Sequence, residues 1–318
     1  MTHDRPDLDV SRRAWISLSL AAMGLVANAR PAFGADDDED ARIAGLEGRA
    51  RKAGIAPLGV SRTDHFLGVG DAPPRFRDEA LGVCEALGKV FVKHLRDRGF
   101  DVDFPARRMT VVILKDADSY AAMAGDAPGK AVGGHYDLDA DRLVVFDFRP
   151  GRPAGSGAER INTFTLVHES THLLSYDAGL LALDGDPGKC VAEGVAAYFE
   201  MWRKSVSAPV GRVNRPRLEA IRAATRVGGK WIDTVRLLTE DALFDDPDSA
   251  QLAYGQAWLL TYHLLTASRS LWPDVVKWFD AMKTRSGDRV ATLEKYLGPV
   301  DKLDAALRRL GRELLRNP

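Results

Sequence analysis

His168-Glu169-Ser170-Thr171-His172 constrains this chain more than any other stretch, because its three polar side chains converge only on a helix. Each helical residue rotates the side chain by about 100°, which places His172 about 40° and Glu169 about 100° from His168. All three therefore share one arc. Phe164, Leu166, Val167, Leu173 and Leu174 surround the arc with apolar residues, so the helix is expected to be largely buried. Burying two imidazoles and a carboxylate without partners is costly. A metal ion resolves that cost, with the imidazoles as ligands and the carboxylate beside them to carry a proton.

Two histidines do not complete a catalytic zinc site, which takes three protein ligands and keeps an open position. Glu193 lies 21 positions after His172 in a second helical stretch, Val191-Ala192-Glu193-Gly194-Val195-Ala196-Ala197. The segment Asp184-Gly185-Asp186-Pro187-Gly188 between them is a strong turn that lets the chain reverse. Gly194, Ala196 and Ala197 carry little bulk, so two helices can approach closely and Glu193 can reach the metal. Glu200 shares the face of Glu193 seven residues on; a solvated carboxylate is the favoured reading, and a partner standing behind the metal ligands is the alternative. His135 and His263 are read as structural or surface histidines.

Along the chain, strands are expected at residues 65–69 and 109–114, the second buried on both faces, with a hairpin formed by 133–136 and 142–148. Helices are expected at 75–98 and 117–124, from 159 through the motif to about 175, from about 187, and at 215–226, 249–266, 272–284 and 300–316. The leucines at 303, 307, 310 and 314 follow helical spacing and read as core or lid. The Asp-rich tip at 137–141 lacks the Gly and terminal Glu of a calcium loop and reads as a solvated turn. The fold class is α+β, a mixed-sheet N-terminal half followed by a mainly helical C-terminal half.

The N-terminus reads as an address. Arg12-Arg13 precede an apolar run over residues 16–26 and then small residues, the order of a twin-arginine export signal. Eleven apolar residues are too few to cross a bilayer, which takes about 20. Cleavage is expected near Gly34, or alternatively after Ala29. Residues 1–34 carry four Arg and three Asp, so their removal leaves 284 residues at net charge −2. That balance excludes a phosphate-backbone binder, and a nucleic-acid partner is not expected. The expected organisation is an export signal at 1–34, a flexible lead-in at 35–60, an α/β subdomain with an edge-strand hairpin at 61–160, and a helical zinc-binding subdomain of the same catalytic domain at 161–318. Cys84 and Cys190 rule out a disulfide-framework fold, and Cys190 reads as a small buried hydrophobe.

The H-E-x-x-H motif, followed after about twenty residues by the Glu193-Gly194-Val195-Ala196 helix, resembles the gluzincin metallopeptidases. Within them it is most similar to the peptidase-MA-like families of exported bacterial proteins. The shared elements run from about residue 66 to the C-terminus, while the specific motifs occupy 168–172, 193–196 and a stretch near 254. The resemblance implies a zincin-like fold, one Zn2+ held by His168, His172 and Glu193, and Glu169 as general base. Tyr254, at the start of a helix, resembles the oxyanion-stabilising tyrosine of the related alanyl-aminopeptidase group. Some gluzincins place an Asp four residues after the glutamate ligand to orient a histidine. Ala197 stands there in this chain, so that partner must come from elsewhere.

The resemblance also implies a sheet-edge strand that pairs with an extended peptide, with residues 142–148 the natural candidate. The resulting expectation is an exported zinc metallopeptidase, periplasmic or extracellular, acting on a peptide or protein substrate after passage through the twin-arginine machinery. An endopeptidase is favoured because no Gly-Ala-Met-Glu-Asn type of signature is present. The alternatives are a zinc-bearing envelope binding or scaffold protein with a blocked cleft, and a hydrolase of a non-peptide amide.

Overall fold

The run Met109–Leu114 has every residue buried because helices cover both faces of the sheet it belongs to. The computed structural model describes residues 35–316 apart from 56, 125–132, 148–156, 205–209, 227–230, 267–268 and 286, so the export signal expected at 1–34 lies outside the described residues. Five strands, β1 (Gly59–Arg62), β2 (Phe66–Gly70), β3 (Met109–Leu114), β4 (Gly134–Asp137) and β5 (Arg142–Phe146), form one sheet in the order β1-β2-β3-β5-β4. β2, β3 and β5 run parallel, while β1 and β4 flank them antiparallel. The fold is α+β, with this mixed sheet in the N-terminal half and helices through the C-terminal half.

Alternation along each strand sorts the side chains between two layers. Leu67, Val69, Val112, Leu114, Val144 and Phe146 face α1 (Ala35–Lys52) and α3 (Ala117–Ala124), where Leu46, Ala50, Tyr120 and Met123 meet them. Phe66, Val111, Ile113, Leu143 and Val145 belong to the larger core on the other side, which holds α2 (Pro74–Arg96) and α4 (Gly157–Asp177). Beyond α4 come α5 (Gly188–Phe199), α6 (Arg215–Arg226), α7 (Thr234–Thr239), α8 (Ala250–Thr266), α9 (Trp272–Met282), α10 (Arg289–Leu297) and α11 (Val300–Arg316). Leu303 and Leu307 of α11 are buried in this core, with Leu310 and Leu314 packed against it.

Three expectations change. Residues 35–60 are not a flexible lead-in: α1 occupies 35–52 and β1 follows. Its acidic start is held by ion pairs of Asp38 with Arg42 and of Glu39 with Arg62 and Arg108, while Leu46 and Ala50 bury the apolar stripe. The edge strand is β4 and not residues 142–148, since β5 lies between β3 and β4. The tip at 137–141 is only partly solvated. Asp141 is buried with φ 46, accepts from the Tyr136 hydroxyl at 2.8 Å, and pairs with Arg107, which also bonds Asp177 at 2.8 Å. This clamp ties the hairpin to the end of α4. Cys84 and Cys190 are free and buried, as small apolar residues.

α5 is the centre of the helical half, with every residue from Lys189 to Phe199 buried. Gly194 is what lets it lie against α8. A Cβ there would stand 2.5 Å from the Thr261 Oγ1 and 2.6 Å from the Ala257 carbonyl oxygen. Gly194 therefore serves the approach of α5 to α8, whereas the expectation had it serve the approach to the histidine helix.

Candidate metal centre

Helices α4 and α5 bring His168, His172 and Glu193 together exactly where their polar arcs cross; all three are buried, Glu193 completely. The His168 Nε2 lies 3.1 Å from the Glu193 Oε2 and 3.2 Å from the His172 Nε2, and the third edge of the triangle is 3.5 Å. A tetrahedral ion with donors at about 2.0–2.2 Å separates neighbouring donors by about 3.3–3.6 Å. The triangle therefore has the size of three corners of such a site.

The hydrogen bonds support the same conclusion. Glu200 is an acceptor, so the His168 Nδ1 at 2.6 Å from its Oε1 carries the proton. In the neutral ring, Nε2 then presents a lone pair to the Glu193 carboxylate and to the other imidazole. A proton on Nε2 serves one of those neighbours, whereas a divalent ion serves all three. Glu193 Oε1 is buried with no hydrogen-bond partner among the described residues, a further oxygen that a cation would satisfy. The donor set of two imidazoles and one carboxylate suits zinc.

Electrostatics follow from burial and charge. In the ion-free protein desolvation would lower the His168 pKa, but hydrogen bonds that its ring donates to Glu193 and Glu200 outweigh it and raise it to about 10. Desolvation would raise Glu193, and the two histidines reverse this and hold it well below the carboxylate range. Glu169 differs. Desolvation raises its pKa against the pull of His168 and His172, and it accepts the Tyr136 backbone N–H of edge strand β4 at 2.9 Å. It stands outside the donor triangle, beside it on α4.

Tyr254 lies on α8 with its ring centroid 6.4 Å from that of His168 and its edge against Phe244. Burial, reinforced by the nearby Glu193, pushes its phenol pKa well up, so the hydroxyl keeps its proton. His135 points to the opposite face of the sheet, bonded to the Tyr120 hydroxyl, and half-buried His263 lies near Arg309. Neither reaches the centre.

Glu200 is the main correction at the site. It is fully buried rather than solvated, and it supplies the histidine partner that Ala197 does not. Two helical turns carry it about 10.5 Å beyond Glu193 on the same face, so the two carboxylates meet the two nitrogens of one imidazole. Asn214 donates to its Oε2 at 2.6 Å and Arg217 at 3.0 Å, with a second Arg217 bond to Oε1. Desolvation would raise the Glu200 pKa, but Arg217 and His168 lower it to about 2. The sequence reading missed both Asn214 and Arg217. Arg217 left a trace, because it falls on the buried stripe of α6 with Leu218 and Ile221.

Residues 162–285 match the profile of a family described as a protein of unknown function, DUF1570. The matched stretch contains the three donors, Glu169, Glu200, Arg217 and Tyr254. No curated protein matches the chain. Among the described residues, no helix is long and apolar enough to cross a membrane.

Proposed function

We propose that this chain is an exported zinc metallopeptidase of gluzincin type, which hydrolyses peptide bonds in the periplasm or outside the cell. The observation that carries the reading is the donor triangle with a second carboxylate, Glu169, beside it and outside it. A purely structural zinc fills its coordination with protein and has no use for an adjacent base. The proposed route is the twin-arginine export machinery, with the signal at 1–34 removed near Gly34 and no membrane insertion afterwards.

His168, His172 and Glu193 would hold the ion. When bound, zinc lowers the pKa of a coordinated water to about 7 and polarises a carbonyl. Glu169 takes the proton of the attacking water and returns it to the amine nitrogen as the C–N bond breaks and the C–O bond forms. Burial raises its pKa above the ordinary carboxylate value, which makes it a stronger base for that exchange. Tyr254 donates its retained proton as a hydrogen bond to the developing oxyanion. Among the described strands β4 ends the sheet, and an extended peptide that adds along its outer side would lie next to Glu169. Glu200 holds His168 in the tautomer that offers Nε2 to the ion.

The test compares the zinc-loaded wild type with Glu169→Gln on a mixed-peptide library. Both bind zinc and only the wild type cleaves; zinc binding by both with no cleavage by either overturns the peptidase reading. A second reading, a zinc-bearing scaffold with a closed cleft, is favoured by the burial of the centre, where His168 is 6% and His172 5% exposed. That outcome, or cleavage of a non-peptide amide alone, would support the alternatives. Replacing Arg12 and Arg13 with Lys in the full-length chain must abolish export for the address to stand.

A further inference from the structure

Arg217 does more than neutralise a buried carboxylate. Its guanidinium edge grips Glu200 through Nε and Nη2, and Glu200 in turn holds the His168 Nδ1. Its Cζ also lies over the Tyr254 ring, 4.7 Å from the centroid. A structural ion pair would need the first contact and not the second. Arg217 is 3% exposed, Glu200 0% and Tyr254 5%, so the three form one dry unit behind the donor triangle.

The backbone is built for this stack. Gly255, next to Tyr254, lets α8 abut α6 at the level of Arg217: a Cβ there would lie 2.8 Å from the Arg217 carbonyl oxygen and 2.9 Å from the Ile221 Cγ1. Asn214 heads α6, and its side chain bonds both the Ala197 carbonyl and Glu200, which fixes the start of α6 against the end of α5. One planar cation thus joins the helix of the glutamate ligand to the helix of the tyrosine. Lysine, a point charge on a flexible stem, can neutralise Glu200 but cannot grip it with a fork and stack on the ring at once.

We propose that Arg217 is a positioning residue shared by the metal ligand His168 and the hydrogen-bond donor Tyr254, orienting the first through Glu200 and the second by stacking. The Tyr254 half rests on the metallopeptidase reading; the His168 half needs only the metal. It follows that the two halves of the site are coupled through a group that touches neither substrate nor ion.

The experiment uses the full mature chain with Arg217→Lys, Glu200→Gln, Tyr254→Phe and the Arg217→Lys, Tyr254→Phe double variant, each checked for folding by circular dichroism. Zinc affinity, read by competition with a chromophoric chelator, falls about 10- to 100-fold in Arg217→Lys and Glu200→Gln and stays within about twofold in Tyr254→Phe. At saturating zinc, Arg217→Lys lowers kcat on a cleaved peptide by about tenfold or more with little change in KM, and adds no further loss in the Tyr254→Phe background. Wild-type zinc affinity in Arg217→Lys overturns the link to His168. Losses that multiply in the double variant overturn the link to Tyr254. A wild type that binds zinc and cuts nothing refutes the peptidase reading instead, and the affinity measurement still decides the His168 link. Should Arg217→Lys not fold, Arg217→Gln takes its place in both measurements with the same expected losses.

Discussion

Gly194→Ala sets two physical effects against each other at the residue beside the glutamate ligand. In an unobstructed helix the change stabilises by about 1 kcal/mol, because alanine loses less backbone freedom on folding. Here the new methyl would stand 2.6 Å from the Ala257 carbonyl oxygen and 2.5 Å from the Thr261 Oγ1. Ordinary contact begins near 3.4 Å, so α5 and α8 must part by about 0.8 Å. A backbone carbonyl cannot swing aside, and overpacking of this kind costs about 1–3 kcal/mol. The clash outweighs the helical gain over most of that range, for a net loss of up to about 2 kcal/mol and a fall in Tm of up to about 6 °C in a domain of this size. The same shift moves Glu193 by more than the roughly 0.2 Å tolerance of a metal bond, so zinc affinity falls at least about tenfold. Gly45→Ala in α1 is the control, since a methyl there meets nothing within 4 Å and should stabilise by about 0.4–1 kcal/mol. Thermal unfolding and chelator competition read both effects. A Gly194→Ala protein that melts at or above the wild type with unchanged zinc affinity refutes the argument.

Other perturbations test separate parts of the structure. Arg107→Ala leaves Asp141 and Asp177 buried without their shared cation and should destabilise by about 2–4 kcal/mol in urea titration; a loss below about 0.5 kcal/mol would show that the hairpin clamp contributes nothing. Desolvation would raise the Glu85 pKa, but hydrogen bonds from His65 and Lys89 lower it from 4.5 to about 2. Its contribution is therefore present above about pH 4.5 and lost as the pH falls through about 2, so Glu85→Gln should cost about 1–2 kcal/mol near pH 6 and progressively less below pH 4. An equal cost at pH 6 and pH 2.5 would contradict that sign. Cys84, its thiol pushed up to about 12 by burial, and buried Cys190 should resist a thiol reagent until the chain unfolds; fast labelling of the native protein would contradict their burial.

Much of the fold was legible because hydrophobic period reports burial directly. The run at 109–114, the leucine stripe of α11 and the bounds of α6 matched the structure, and those of α2 did so to within two residues. α1 was missed because its charged face carries the information: Asp38, Glu39 and Arg42 read as a solvated tail until the sheet supplies Arg62 and Arg108 as partners. Short α7 and α10 lack enough turns to show a period. At the site, the convergence of His168, His172 and Glu193 was readable because the geometry that could hold a metal dictates residue type and spacing. Glu200 was readable only as the less favoured alternative, since a carboxylate at the end of a helix looks solvated unless one knows that α6 returns to place Asn214 and Arg217 against it. The edge strand was also beyond reach, because a hairpin sequence does not reveal which arm the preceding strand will pair with.

The central claim is a single divalent-metal centre made by His168, His172 and Glu193. Metal analysis of the purified mature protein, after zinc loading and removal of loosely held ions, tests it most directly alongside a folded His172→Ala variant. The account predicts about one zinc per wild-type chain and almost none in the variant. A wild type without stoichiometric zinc, or a variant that keeps it, would contradict the centre.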